Sequence, residues 1–393
     1  MIGRYGNQGG DYKGHQMAKS SGKTRIGVVS INRKIDNPEL RPFETLYEAF
    51  GKNTGNLMFT EAIFSILDGD IKRIGFSFDP EHVNSNFDLV VVPAANWINK
   101  NADWDWFLKI LELLSIPVIV VGLGLQADEM ELTAVEVSPS ARRLAEFFAR
   151  SAECVSVRGD FTKEWFNSIG ITNVVTTGCP SLYMNIFECD ETINRQKITL
   201  QATRYAVSDA FASGNSINRH LFEFSSRHGM PMVYQSEMEE IKLIVYGEPA
   251  ATLNEGKRKA ILKLYGLHDI DQFDSYLRNY GRVFFDLNQW SDFVRERDGV
   301  IGTRLHGSII ALNSGRPAVL IPHDSRTAEA AIFAGIPTAN GSTVRDMKSA
   351  SDLSDLLCLA DMQNYKDCRS KNQLVFLQFL RDVGLAPRDG SIF

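Results

Sequence analysis

The chain has 393 residues, of which 44% are hydrophobic and 23% are charged, and its formal net charge is -6. This composition is typical of a soluble globular protein and excludes a largely disordered chain, a collagen-like fibre and a small disulfide-stapled protein. At about 150 residues per domain, the length predicts two to three domains. The slight acidic excess, without any basic block, argues against binding to nucleic acid or to anionic lipid.

Cysteine usage and hydropathy predict a cytoplasmic protein. The five cysteines form no CxxC pair, which favours free thiols in a reducing compartment over disulfides or a zinc site. No run of the sequence approaches the ~18 consecutive apolar residues of a membrane span. Residues 1–24 are rich in Gly, Ser, Lys and Gln. They lack the apolar core of a signal peptide, so we interpret them as a flexible tail.

Short apolar runs alternate with amphipathic runs through the first half of the chain. The predicted strands are Arg25–Ile31, Arg73–Phe78, Asp88–Pro93, Pro117–Val121, Cys154–Val157 and Asn173–Thr176. The predicted helices are Leu57–Leu67, Trp104–Leu114, Pro139–Ser151 and Phe161–Ile169. Most of the strand candidates are continuously apolar, as in parallel strands covered on both faces. Arg73–Phe78 alternates instead and is expected near a sheet edge.

A second series of the same kind follows a polar break at residues 185–196, which we interpret as a hinge. Its predicted strands are Ile198–Ala202, Pro231–Gln235, Val283–Phe285, Gly299–Gly302 and Ala318–Ile321. Its predicted helices are Ile217–His228, Glu255–Leu264, Leu287–Arg295, Leu305–Asn313 and Thr327–Phe333. A last amphipathic run, Ser370–Val383, has no strand left to follow and is expected to cross back over the first domain.

The alternation predicts an α/β protein with two doubly wound, Rossmann-like domains that face a central cleft. We place the domains at residues 25–190 and 196–362, followed by a C-terminal helix within residues 363–393. Open parallel sheets bind ligands beside the carboxyl ends of their strands. The cleft between the two domains is therefore the expected functional site.

The densest group of candidate functional residues lies in the segment Val300–Pro317. The predicted strand ends at Gly302, where the missing side chain would let a ligand approach, and Thr303 is expected to cap the following helix. Arg304 and His306 then lie in the first helical turn, where an anion would bind. Arginine suits carboxylate or phosphate, and histidine can donate a proton near neutral pH. The same pattern also fits a helix whose Arg and His only face solvent.

Other polar residues stand next to predicted strand ends or helix starts. They are Asn53, Gly55, Asn56, Gln126, Arg158, Arg204, His323 and Arg326. Each can contact a ligand or serve only as a turn, a helix cap or a surface charge. The segment that ends at Gln126, Gly122-Leu-Gly124-Leu-Gln126, lacks the third glycine of a dinucleotide-binding loop. No Asp, Glu, His or Cys cluster has metal-ligand spacing, so no metal site is expected.

Seven motifs follow one another in a recognisable order. They are Asn53-Thr-Gly55-Asn56, Val91-Val-Pro-Ala94-Ala95, Gly122-Leu-Gly124-Leu-Gln126, Ser156-Val-Arg158-Gly-Asp160, Thr177-Gly-Cys-Pro180-Ser181, Gly302-Thr-Arg304-Leu-His306-Gly307, and Gly315-Arg-Pro317 with His323-Asp324-Ser-Arg326 and Ala334-Gly335-Ile336-Pro337. In this order the chain resembles the polysaccharide pyruvyl transferase family over roughly residues 25–340. The order of the seven motifs is more specific than any one of them.

The resemblance implies a fold similar to the GT-B glycosyltransferases and a reaction between phosphoenolpyruvate and a sugar. The pyruvyl group would be joined to two sugar hydroxyls as a cyclic ketal, with loss of phosphate. This needs an acid for the methylene carbon and cations for the carboxylate and the phosphate. We expect His306 to be the acid and Arg304, Arg204 and Arg158 to hold the donor beside the helix that starts at Arg304. No metal or organic cofactor is implied.

The expected acceptor is a sugar or a lipid-linked oligosaccharide of exopolysaccharide or cell-surface glycan biosynthesis. A lipid-linked acceptor would bring the protein to a membrane surface only through its substrate. The family usually has a glycine pair and an acidic residue where this chain has Ala94-Ala95-Asn96, and Gly-Asp where it has Gly55-Asn56. Both departures fall in the first domain, which we expect to face the acceptor, while the second domain is expected to bind phosphoenolpyruvate.

Two other functions fit the same fold. A GT-B-like glycosyltransferase would use a nucleotide sugar and would place an acidic residue, here Glu329, on the donor ribose. A catalytically inactive glycan-assembly protein would keep the architecture alone, although intact Arg304 and His306 argue against it.

Overall fold

The structure is a computed structural model that describes residues 23–127, 130–184, 198–202 and 217–390. Residues 1–22 of the predicted tail, the predicted hinge at residues 185–196 and Arg204 lie outside the described residues.

The first half of the chain forms two small parallel sheets covered by helices. The larger sheet has the strand order β2-β1-β3-β4, and the smaller pairs β5 with β6. A bridge between Leu123 and Val157 joins the two sheets. The strands are β1 (Arg25–Val28), β2 (Asp70–Arg73), β3 (Leu89–Pro93), β4 (Val118–Val121), β5 (Val155–Val157) and β6 (Val174–Thr176). The helices are α1 (Phe43–Ala49), α2 (Asn56–Ile66), α3 (Pro80–Asn86), α4 (Asp105–Leu111), α5 (Pro139–Ser151) and α6 (Asp160–Ser168).

The second half forms a five-stranded parallel sheet with the order β11-β10-β7-β8-β9. Its strands are β7 (Ile198–Gln201), β8 (Met232–Val233), β9 (Gly281–Arg282), β10 (Gly299–Gly302) and β11 (Ala318–Leu320). Its helices are α7 (Ile217–His228), α8 (Met238–Tyr246), α9 (Glu255–Tyr265), α10 (Ile270–Tyr280), α11 (Leu287–Arg295), α12 (Leu305–Asn313), α13 (Ser325–Ala334), α14 (Gly341–Asp346), α15 (Ala350–Cys358) and α16 (Met362–Asp382). Because every strand pair is parallel and helices connect the strands, the predicted α/β class is confirmed.

Two strand predictions were wrong in position. The predicted strand Arg73–Phe78 is replaced by β2, which pairs with β1 at the sheet edge and ends at Arg73. Gly75 follows with φ of 70°, a left-handed conformation that interrupts an extended backbone. The predicted strand Val283–Phe285 is likewise displaced, since β9 ends at Arg282.

The two halves share hydrophobic packing rather than meeting only at their rims. One cluster of buried side chains contains Val28 and Ile63 from the first half together with Leu305 and Ile309 from α12. Helix α1 packs into the core of the second sheet, where the ring of Phe50 just after it lies 5.4 Å from that of Phe285.

The last helix, α16, lies against both halves. Phe376 stacks on Tyr183 of the first half at 4.6 Å, and Asn372 donates to the carbonyl of Phe333 at 2.7 Å. Beyond the helix, the backbone N–H of Arg388 donates to Ile66. None of the helices described is both long and apolar enough to cross a bilayer.

Candidate active site

His306 lies in the first turn of α12, where the two halves of the chain touch. The side chain is buried, and its ring centre is 5.7 Å from that of Phe59 in α2. Burial lowers its pKa well below the usual range, and the guanidinium groups of Arg158, Arg326 and Arg304 lower the pKa further. Both effects disfavour an imidazolium at this position.

Arg158 follows β5 and is 1% exposed. Its Nε donates to the carbonyl of Gly122 at 2.8 Å and its Nη2 to the carbonyl of Ala94 at 3.1 Å. Its Nη1 is buried and has no hydrogen-bond partner among the described residues. Because two carbonyl dipoles hold the group without neutralising it, Arg158 presents a fixed cation to the site.

Arg304 precedes α12, at the corresponding place in the second half, but its charge is already paired. Its guanidinium contacts the carboxylate of Glu237, which is 1% exposed, and also the hydroxyl of Ser236. Its Nε donates to the carbonyl of Ala202 at 3.1 Å. The expected donor clamp at Arg304 is thus a buried ion pair in this structure.

The residues after β11 form a second cationic edge of the site. Nη2 of Arg326 is 3.3 Å from Asp324, and Nε of Arg326 is buried without a partner in the part of the chain that is described. Burial lowers the pKa of His323 to about 4, so its ring is neutral near pH 7. Asp324 caps α13 by accepting from the backbone N–H of Thr327 at 2.8 Å.

Glu329 of α13 binds the first half of the chain. Its carboxylate accepts from the hydroxyl of Thr162 at 2.7 Å and from the backbone N–H of Thr162 at 3.0 Å, at the start of α6. Burial raises the pKa of Glu329 to about 7, although the Thr162 hydrogen bonds and Arg158 lower it. The carboxyl group that a nucleotide-sugar enzyme would need on a ribose is therefore engaged in joining the two halves.

The loop before α2 closes over His306. Asn53 accepts from the backbone N–H of Gly55 at 2.9 Å, and Asn56 donates to the carbonyl of Gly51 at 2.9 Å, so both side chains stabilise the turn. A Cβ at Gly55 would lie 2.7 Å from Oε1 of Gln235 and 3.0 Å from the His306 side chain. Glycine is needed here because the loop approaches the second half so closely.

Gln126 bridges the two halves. Its Oε1 accepts from Nδ2 of Asn96 at 3.2 Å, and its Nε2 donates to Asp324 at 3.5 Å. The Oδ1 atom of Asn96 is buried and finds no donor within the described ranges. Asn96 thus offers an unused acceptor at the carboxyl end of β3.

Two sequence expectations in the segment before α12 were wrong. Thr303 does not cap the helix, because its hydroxyl donates to Asn218 at 2.7 Å and the capping position is Arg304. Gly302 makes room for a neighbouring strand rather than for a ligand, since a Cβ there would overlap the carbonyl of Gln201 in β7.

The sequence analysis missed Cys179 as a site residue. Its Sγ lies 3.6 Å from Nε2 of His306 and 3.0 Å from Oγ of Ser181, and the thiol is buried. The residue stood inside one of the seven motifs, but a contact across 127 positions of sequence leaves no trace in a local pattern.

A profile of the polysaccharide pyruvyl transferase family matches residues 32–325. The chain belongs to this family. The resemblance inferred from the seven motifs is thereby confirmed, and the residues that converge on His306, namely Arg158, Cys179 and Arg304, all lie in the matched region. A comparison with curated proteins gives no match.

Among solved structures, the chain is similar to MnaA of S. aureus in complex with UDP, at 12% identity and a TM-score of 0.47, covering 94% of this chain and 100% of that one. It is similar to the UDP-GlcNAc 2-epimerase of Neisseria meningitidis bound to UDP-GlcNAc, at 11% identity and a TM-score of 0.44, covering 91% of this chain and 99% of that one. It is also similar to Anabaena HepE in complex with UDP and glucose, at 11% identity and a TM-score of 0.39, covering 90% of this chain and 95% of that one. Likeness at this level carries no argument about ligands.

Proposed function

We propose that the protein transfers a pyruvyl group from phosphoenolpyruvate to two hydroxyls of a sugar as a cyclic ketal, in exopolysaccharide or cell-surface glycan biosynthesis. The observation that carries the proposal is the cationic, buried surrounding of His306 in a chain of the polysaccharide pyruvyl transferase family. Phosphoenolpyruvate plus a sugar diol gives the ketal plus phosphate, so no metal or organic cofactor takes part in the balance.

On this proposal, the donor binds to the arginines that keep a guanidinium nitrogen without a hydrogen-bond partner among the described residues. Arg158 and Arg326 each keep a buried guanidinium nitrogen without a partner in the described structure, whereas Arg304 is paired with Glu237. Charge-assisted hydrogen bonds to a carboxylate or a phosphate would satisfy those nitrogens. We therefore assign the main donor contacts to Arg158 and Arg326, and Arg304 helps chiefly by shaping the start of α12. Arg204, outside the described residues, stays a predicted donor contact.

His306 would act as the acid that protonates the methylene carbon. Its pKa is lowered by burial of the ring and then by the three guanidinium groups around it. Phosphoenolpyruvate brings a carboxylate and a phosphate against those cations, which removes their repulsion of an imidazolium. Donor binding would thus prepare the acid, and the same cations would stabilise the departing phosphate.

The acceptor would bind on the side of the first half. The unused Oδ1 of Asn96 can accept a hydrogen bond from a sugar hydroxyl. A glycosyltransferase with a nucleotide sugar is less well supported, because Glu329 is held by Thr162 rather than turned toward a ribose.

The test is a calorimetric titration of the full chain with phosphoenolpyruvate, UDP and GDP. Of the three compounds, only phosphoenolpyruvate should bind. Arg158→Lys should raise the dissociation constant of phosphoenolpyruvate about tenfold or more, since charge-assisted bonds contribute ~1.5–3 kcal/mol each. Arg142→Lys, on an exposed part of α5, is the matched control and should bind as wild type. Binding of UDP or GDP without binding of phosphoenolpyruvate would overturn the proposal.

A further inference from the structure

Donor binding would reduce the repulsion between the cations and His306, but it supplies no proton to the ring. His306 must carry a proton at the moment of transfer, yet burial and the three neighbouring guanidinium groups oppose an imidazolium. This inference rests on the proposed function for its role in turnover, but the contact that carries it involves only residues of the chain.

The group in contact with Nε2 of His306 is the thiol of Cys179, at 3.6 Å. The thiol sits between β6 and a short helical turn, Pro180–Tyr183, whose position is fixed by a hydrogen bond from Asn313 of α12 to the carbonyl of Ser181 at 2.9 Å. Sulfur and imidazole are therefore held in register by the same helix that carries His306.

A cation and a hydroxyl lie beside the sulfur of Cys179. Arg158 interacts electrostatically with Cys179, and the hydroxyl of Ser181 lies 3.0 Å from Sγ and can donate to a thiolate. Moving the proton from sulfur to Nε2 creates a thiolate next to the new imidazolium. Because the two opposite charges would lie 3.6 Å apart, the transfer costs less than placing a lone positive charge on His306.

Charged and titratable groups on several neighbouring elements surround this pair, and they include Arg369 of α16, whose Nε donates to the carbonyl of Leu182 at 2.9 Å. Arg304 is balanced by Glu237 and Arg326 by Asp324. Glu329, near Arg158, is held by Thr162, and the buried phenol of Tyr183 lies on the side of Cys179. Arg158 has no direct carboxylate contact among the described residues, and it interacts electrostatically with the sulfur of Cys179.

We propose that Cys179 is a positioning residue that passes its proton to Nε2 of His306 and holds the resulting imidazolium as a thiolate–imidazolium pair. In this step the S–H bond breaks and the Nε2–H bond forms, with no oxidation or reduction. His306 then gives that proton to the methylene carbon of phosphoenolpyruvate. Of the two protons released by the sugar hydroxyls, one returns to the pair and the other leaves with phosphate.

The first arm of the test needs no substrate. The ring-proton resonances of His306, assigned by their loss in His306→Ala, are titrated in the wild type, in Cys179→Ser and in Cys154→Ser. Cys154 directly precedes β5, at the end of the strand opposite to Arg158, and its half-buried thiol serves as the control. His306 should titrate about one to three pH units lower in Cys179→Ser, because an opposite charge within ~4–6 Å shifts a pKa by that amount. An unchanged titration overturns the pair.

The second arm measures kcat against pH with phosphoenolpyruvate. In Cys179→Ser the pH at which kcat falls on the alkaline side should be about one to three units lower, while KM for phosphoenolpyruvate stays the same. Cys179→Asp, which restores a negative charge, should return that pH toward the wild-type value. A uniform loss of kcat at every pH would mean that Cys179 only packs, and would refute the proposal. If His306 shifts but phosphoenolpyruvate is not used, the pair stands and the proposed function fails. If phosphoenolpyruvate is turned over but Cys179→Ser shifts neither the His306 titration nor the pH dependence of kcat, the proposed function stands and the pair fails.

Discussion

Arg158 and Arg304 occupy corresponding places in the two halves of the molecule, each just beyond the carboxyl end of a buried parallel strand. Arg158 is held by two carbonyl oxygens and keeps one nitrogen without a partner in the described residues, whereas Arg304 is paired with the buried carboxylate of Glu237. A position at a strand end therefore brings an arginine to the site, but the groups around it decide whether its charge is available to a ligand.

The largest effect is expected where the two arginines converge, at His306. His306→Ala should lower kcat by ~10²–10⁴-fold, the usual contribution of a general acid. The dissociation constant of phosphoenolpyruvate should change little, since the arginines remain. Phosphate release and calorimetry measure the two quantities, with His82→Ala on the exposed helix α3 as the control. Turnover at the wild-type rate would remove His306 from the mechanism.

The next prediction addresses the pairing that distinguishes Arg304. Arg304→Met should reduce the free energy of unfolding by ~3–5 kcal/mol, because it leaves the carboxylate of Glu237 buried without its cation. Urea unfolding measures the loss, and adding Glu237→Gln to Arg304→Met should recover part of it. Arg142→Met, which breaks an exposed pair with Glu146, should cost at most about 1 kcal/mol. A stable Arg304→Met variant that binds phosphoenolpyruvate poorly would instead make Arg304 the donor clamp.

Most elements of the fold were predictable from the sequence, although helices α1, α3, α8, α10, α14 and α15 have no counterpart in the prediction and two strands were misplaced. The pairings within the site were not predictable. Helix α5 coincides with its prediction because Ser138 caps it, Pro139 starts it and its apolar residues recur at helical spacing. The partner of Arg304 lies 67 positions away and that of Cys179 lies 127 positions away. Those contacts depend on how the halves pack, which local periodicity does not encode.

A third prediction concerns Glu329, whose carboxyl group interacts electrostatically with Arg158. The pKa of Glu329 is about 7 in the folded protein, against a usual value of about 4.3 in an unfolded chain. The folded state therefore binds more protons between those values, and this contribution to stability is present at low pH and is lost as pH rises through about 7. The loss is on the order of 3 kcal/mol.

Glu329→Gln isolates that contribution. The urea midpoint of the variant relative to wild type should rise between pH 4.5 and pH 7, whereas His323, whose pKa is lowered to about 4, contributes the opposite slope in both proteins and cancels in the difference. A difference that is independent of pH would mean that Glu329 is ionised throughout. Its charge would then offset Arg158, and the contrast between the two arginines would be weaker.

The smallest effect concerns the acceptor and tests whether the first half does more than hold Arg158. Ala94 contributes the carbonyl that binds Arg158, and Asn96, two positions later, has a buried Oδ1 without a donor among the described residues. One neutral hydrogen bond is worth ~0.5–1.5 kcal/mol, so Asn96→Ala should raise KM for the acceptor sugar about two- to tenfold. Asn96→Asp keeps the acceptor oxygen and should retain the affinity. Measured at saturating acceptor, KM for phosphoenolpyruvate should be the same in all three proteins, because no donor contact is assigned to Asn96. If Asn96→Ala weakens the donor and leaves the acceptor constant unchanged, the assignment of the two halves is reversed.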